Sequence, residues 1–156
     1  MTCVYDEGVD GVNAVTLKEP GDGPRIRLWN RTVPEDDVIE MCAEIATADS
    51  TDNLVATIHG VTLAVMGEGL TPFLDALVDA FAGWEGARTW RSMYGEVEIG
   101  AVFASGGHVE LTCTLRPGWY STAGMWTASV TVTMEAGEQM RAVAADVHRF
   151  LHPNGR

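Results

Sequence analysis

Basic side chains are scarce in this chain: 10 Lys and Arg stand against 22 Asp and Glu, a formal net charge of −12 over 156 residues. Nucleic-acid phosphates are held by clustered cations, so this balance excludes a nucleic-acid binder and disfavours an anionic membrane surface. No apolar run approaches the ~18 residues that a membrane span requires. The opening MTCVYDEGVDGVNAV has neither a basic stretch nor an apolar core, so no signal peptide is expected. Cys3, Cys42 and Cys113 are odd in number, far apart and without a CxxC pair. That is the pattern of reduced structural thiols, and it implies a cytoplasmic protein.

Catalytic patterns are missing as well. No serine sits in a GxSxG elbow, and no Cys–His pairing can be argued. Gly67-x-Gly69 precedes a helix, but the full GxGxxG is absent. His148 and His152 lie four apart on one helix face, as zinc ligands do, yet no third Cys or His is close in sequence. The helix dipole favours histidines at that end without any metal. Glu96 and Glu98 are near neighbours, but nothing on a Thr-rich strand face desolvates one of them for acid–base work. No catalytic residue, metal or cofactor is therefore expected.

What the chain does contain is alternation. Residues 1–12 are Gly- and acid-rich without periodicity and are expected to form a loose tail. Two short apolar runs then flank the turn Pro20-Gly21-Asp22-Gly23, and RTVPEDD reads as a polar loop. Over residues 38–47, Ile39, Met41, Ala43 and Ile45 share one face. In LVATIHGVTLAV the apolar positions change parity at Gly60, which predicts a β-bulge there. Thr71 as N-cap and Pro72 behind it open a first helix, whose stripe of Phe73, Leu74, Leu77, Val78, Phe81 and Trp84 runs to a stop at Gly86. Three further alternating runs follow, around Val97–Phe103, Val109–Leu115 and Trp126–Met134. A second helix carries Met140, Val143, Ala144, Val147, Phe150 and Leu151 and stops at Pro153.

One apolar face per strand and short turns predict one α+β domain over residues 13–152, with residues 153–156 as a C-terminal tail. Its architecture is a twisted antiparallel sheet of about seven strands with two helices packed on one face. Ile39, Met41, Ile58, Leu63, Leu77, Phe81, Ile99, Leu111, Val130, Val143 and Val147 should share its core. Parity places Glu40, Glu44, Glu96, Glu98, Glu110 and a series of threonines on the free face. That face is either simply solvated or a docking surface for a protein with a basic surface. The two halves each end in a helix, but no residue-level repeat is visible.

The stretch GWEGARTWRSM, residues 83–93, is too rich in Trp and Arg for a plain connector. Trp84 extends the helix stripe, whereas Trp90 and Arg91 are left unexplained. Two readings stand. Either Trp90 caps the core at a corner, with Arg88 or Arg91 bracing it against Glu85, or Trp90, Arg91, Trp119, Tyr120 and Trp126 line a pocket mouth. Corner packing is the preferred reading. With Trp84 and Arg88 these residues make up the candidate binding set.

FAGWEGARTWRS, followed by WTASVTVTMEAGEQMRAVAADV, resembles an uncharacterised family of small actinobacterial proteins common in Streptomyces, domain-of-unknown-function family six-two-two-eight. The WxGxRTWRS stretch is its most specific part. The resemblance implies an actinobacterial, cytoplasmic origin and brings no activity, catalytic residue or cofactor. The function expected from the sequence is thus a non-catalytic interaction module, accessory or immunity-like, that binds another protein, with a homodimer left open. The alternative is a small-molecule-binding protein or enzyme with an aromatic pocket between helix and sheet.

Overall fold

The structure is a computed structural model and describes residues 13–21, 23–35, 38–48, 53–64, 69–119, 121–122 and 124–153. The expected tail 1–12 lies outside them. Four strands form a first antiparallel sheet in chain order: β1 (Ala14–Lys18), β2 (Arg25–Glu35), β3 (Val38–Ala48) and β4 (Asn53–Ala64). Helix α1 (Leu70–Asp79) follows. A second meander contains β5 (Ala87–Arg91), β6 (Val97–Ala104), β7 (His108–Leu115) and β8 (Ala128–Glu135), and helix α2 (Glu138–Leu151) ends the domain. Both halves thus repeat one plan: four antiparallel strands, then a helix.

The expectation of a single sheet of about seven strands is corrected to two sheets of four. α1 separates β4 from β5, so the hairpin chain is cut there. The area to be covered explains why the sheets face each other. At 1.5 Å per residue, helices of ten and fourteen residues extend only about 15 and 21 Å. They cannot cover eight apolar strand faces, whereas two sheets stacked face to face cover one another. β8 packs across β1, β2 and β3, β7 meets β3 and β4, and α2 closes the side against β1 and β8.

Register confirms which residues point inward. Leu17 pairs with Ile26 and Ile26 with Ile45; Ile45 pairs with Ala56. In the second sheet Trp90, Ile99, Cys113 and Val130 form one transverse row. Ile39, Met41, Ile58, Leu63, Leu77, Ile99, Leu111, Val130 and Val147 are buried in one core, with Val143 packed against it. The bulge falls where parity put it: Met41 pairs with Val61 but Ala43 with Ile58, and Gly60 takes φ +82°. By contrast, RTVPE is not loop. It continues β2 through two register shifts, beside Asn30 at φ +57°.

Helix α1 is shorter than its apolar stripe suggests. Gly69 is the N-cap, and Thr71 lies buried inside the first turn rather than capping it. The helix ends at Asp79, where the Ala80 amide donates to Ala76 O at 3.1 Å and the Gly83 amide donates to Ala80 O at 2.8 Å. Phe81 therefore leaves the core and is 64% exposed. Cys42 is disulfide-bonded, which corrects the reading of three reduced thiols, whereas Cys113 is a free buried thiol. No helix among the described residues is long and apolar enough to cross a membrane.

Candidate functional site

The WEGARTWRSM stretch is a strand with a turn at each end. β5 pairs Trp90 with Ile99 and Arg91 with Glu98. Because side chains alternate across a strand, the indole points into the core while Thr89 and Arg91 point out. Trp90 is buried and Arg91 exposed. Trp90 thus packs as a corner residue, and Arg91 lies on the solvent side.

The turn after β5 is held by a buried carboxylate. Glu96 is fully buried and accepts from Ser92 Oγ at 2.9 Å, the Tyr94 amide at 3.2 Å and the Thr62 amide at 3.4 Å. The Met93 amide donates back to Thr62 O at 2.9 Å. These bonds pin the β5–β6 turn to β4 of the other sheet and so fix the position of β5. The expected pairing of Glu96 with Glu98 on an open face is corrected: Glu96 belongs to the turn, and only Glu98 lies on the strand. Glu44, also expected on a free face, is buried beside Arg25 and Thr57.

Glu98 sits between two guanidiniums. Arg91 Nη2 approaches Oε1 at 3.1 Å, and Arg116 Nη2 approaches Oε2 at 3.1 Å. The hydrogen bond from Arg116, opposed by partial desolvation and reinforced by Arg91, holds the Glu98 carboxyl below its ordinary value. Arg116 also donates to Gly95 O at 3.2 Å, tying the start of the β7–β8 loop to the turn.

Between the first turn of α1 and β5 lies an open cleft of about 790 Å³. Gly69, Pro72 and Phe73 line the helix side; Thr89, Trp90, Arg91 and Glu98 line the sheet side. Of the candidate binding set, the structure brings Trp90 and Arg91 to this cleft. Trp84 and Arg88 form a separate pair, with the guanidinium 4.8 Å over the indole. Arg88 also donates to Ala76 O at 3.5 Å, and Trp84 meets Phe103 edge-on at 5.4 Å. That is corner packing at the end of α1. Gly83 permits it, since its φ is +115° and an added Cβ would come within 3.2 Å of the Phe103 ring. Trp119 is 82% exposed in the loop after β7, Trp126 is half-buried against the core, and Tyr120 lies outside the described residues. Phe73, Thr89 and Glu98 were not in the set. Reading RTWR as an alternating strand would have pointed to Thr89.

Among the described residues no group of three His, Cys, Asp or Glu is placed to hold a metal. The His148 and His152 rings lie with centroids 5.2 Å apart, tilted by 57°. The site is therefore an apolar-walled cleft with a charged rim on an α+β scaffold of antiparallel sheets. The model of a family of unknown function, DUF6228, matches residues 17–154, and the chain belongs to that family. No curated protein and no solved structure matches it.

Proposed function

We propose that the protein is a non-catalytic interaction module that holds part of another protein in the cleft between α1 and β5. The observation that carries this is the cleft itself: an apolar wall of Phe73 and Trp90 beside the exposed Arg91–Glu98 pair. Aromatic and Arg side chains at the centre of a concavity are the composition of recognition hot spots. The alternative docking surface, an acidic sheet face for a basic protein, keeps only Glu40 and Glu110 of its five carboxylates unburied and without a guanidinium among the described residues. Glu44 and Glu96 are buried, and Glu98 is paired with two guanidiniums.

The test is a backbone-amide NMR titration with pooled peptides and, separately, pooled small-molecule fragments. Peptide-induced shifts at Phe73, Thr89, Trp90 and Arg91 that vanish in Thr89→Trp are the expected result. Shifts from fragments alone would favour a small-molecule site. Ligands that bind Thr89→Trp as they bind the wild type would remove the cleft from the account.

A further inference from the structure

The exposed edges of the two sheets are not equivalent. On β4, Thr62 gives its amide to Glu96 and its carbonyl to Met93. On β8, the Thr133 amide donates to Glu19 Oε1 at 3.0 Å. These bonds engage outward backbone groups on β4 and β8, as natural sheets do to prevent stray strand pairing. β5 is different. The Ser92 amide donates to Val97 O at 2.9 Å, so Ser92 faces β6. Antiparallel ladders alternate, so Trp90 and Arg88 also direct their backbone groups to β6, and Thr89 and Arg91 direct theirs outward. Among the described residues nothing receives them. Both residues are exposed, and both line the cleft.

We infer that β5 takes an extended, acidic segment of a partner protein as an added strand lying in the cleft; this rests on the cleft being the binding site. Size and charge both fit. A strand residue occupies about 160 Å³, from a rise of about 3.4 Å, a spacing of about 4.8 Å and a sheet layer of about 10 Å. The 790 Å³ cleft thus takes roughly five residues, matching the 5 residues of β5. Across the outer face the charges run Arg116, Glu98, Arg91, each about 3.1 Å from the next. The row ends on a cation whose side chain is 65% exposed, and the position beyond it belongs to the added strand. A carboxylate there continues the alternation. The other carboxylate nearby, Glu96, is buried under the turn and accepts from Ser92, Tyr94 and Thr62. Alternate residues of the segment point to the inner side, where an aliphatic group meets Phe73 and Trp90. A second copy pairing β5 with β5 about Thr89 would set Arg91 against Ala87 and leave the row unfinished.

A displayed library of random dodecapeptides, panned on the full chain, is expected to enrich sequences that alternate acidic and aliphatic residues. With a recovered peptide, hydrogen exchange should slow at least tenfold at the Thr89 and Arg91 amides and stay unchanged at Trp90, whose amide already bonds β6. Thr89→Pro removes only an outward N–H, so it should keep the fold and weaken the peptide at least tenfold. Arg91→Glu should shift the enriched sequences from acidic to basic. No enrichment, or peptides bound equally by Thr89→Pro, would overturn the inference. Shifts along Phe73 and Trp90 without protection of Thr89 and Arg91 would retain the cleft and reject strand addition. Thr89 and Arg91 amides that are protected in a concentration-dependent dimer without peptide would replace the partner by a second copy.

Discussion

The outer faces of the two sheets are set by the same parity but differ in composition and in environment. On the first sheet the face away from the core holds Ala14, Trp29, Cys42 and Glu44, each at most 6% exposed. Arg27 lies 5.6 Å from the Trp29 ring and is itself buried. On the second sheet that face is wet. Thr112 and Thr131 share a hydroxyl contact at 2.9 Å, Thr114 and Ser129 one at 2.7 Å, and Glu110 and Thr131 are exposed. Alternation says which side chains lie together; it does not say which side meets water. Among the described residues, the first sheet's outer face is covered around Trp29 and Cys42, whereas the second sheet's is open around Glu110 and Thr131.

The largest way to break this contrast is Trp29→Ala. A buried indole on the first sheet's outer face should cost about 3–5 kcal/mol in chemical unfolding. A loss below about 1 kcal/mol would mean that this face is not packed. Next comes Glu96→Ala, which leaves the Thr62 and Tyr94 amides and the Ser92 hydroxyl without their acceptor. It should cost about 2–4 kcal/mol by the same assay, since each orphaned buried donor costs about 1–3 kcal/mol. Thr131→Ala on the wet face should stay within about 0.5 kcal/mol of wild type.

The smallest effect is in pH. Glu98 has a folded pKa below its ordinary value of 4.5. The stability it adds is present above that value and is lost as pH falls through the lower folded value. Its contact with Arg91 is largely solvated, so the difference between wild type and Glu98→Gln should be on the order of 0.5 kcal/mol at neutral pH. Unfolding curves at stepwise lower pH should show that difference vanish. A difference that persists in acid would assign it to packing rather than charge.

Much of this architecture was legible in the sequence. The inward rows, the Gly60 bulge and α2 follow from spacing alone, because period and parity are local properties. The division into two sheets was not legible, since alternation shows that a strand has an apolar face but not what covers it. β5 was missed for a related reason: ARTWR has a single apolar side chain on its inner side apart from the Arg88 stem, too little for alternation to register. Phe81 was misplaced because helical spacing carries on in the sequence past the residue where the backbone leaves the helix. Glu96 looked like a strand-face residue until the turn that it holds was visible. Of the candidate site, Trp90 and Arg91 were legible as unexplained residues, but their opposite orientations depend on a strand that the sequence hid.

The most direct measurement is a paired one on those two neighbours, combining chemical unfolding with titration of a recovered acidic peptide. Trp90→Ala should lose about 3–5 kcal/mol of stability, because it empties the inner row between Ile99 and α1. Arg91→Ala should lose no more than about 1 kcal/mol, the value of a solvated ion pair, because Arg116 still neutralises Glu98. It should nevertheless weaken the peptide about tenfold or more, as truncation of a hot-spot Arg does. Arg91→Ala that unfolds as readily as Trp90→Ala, or that binds the peptide as tightly as wild type, would contradict the division between a packing residue and a recognition residue.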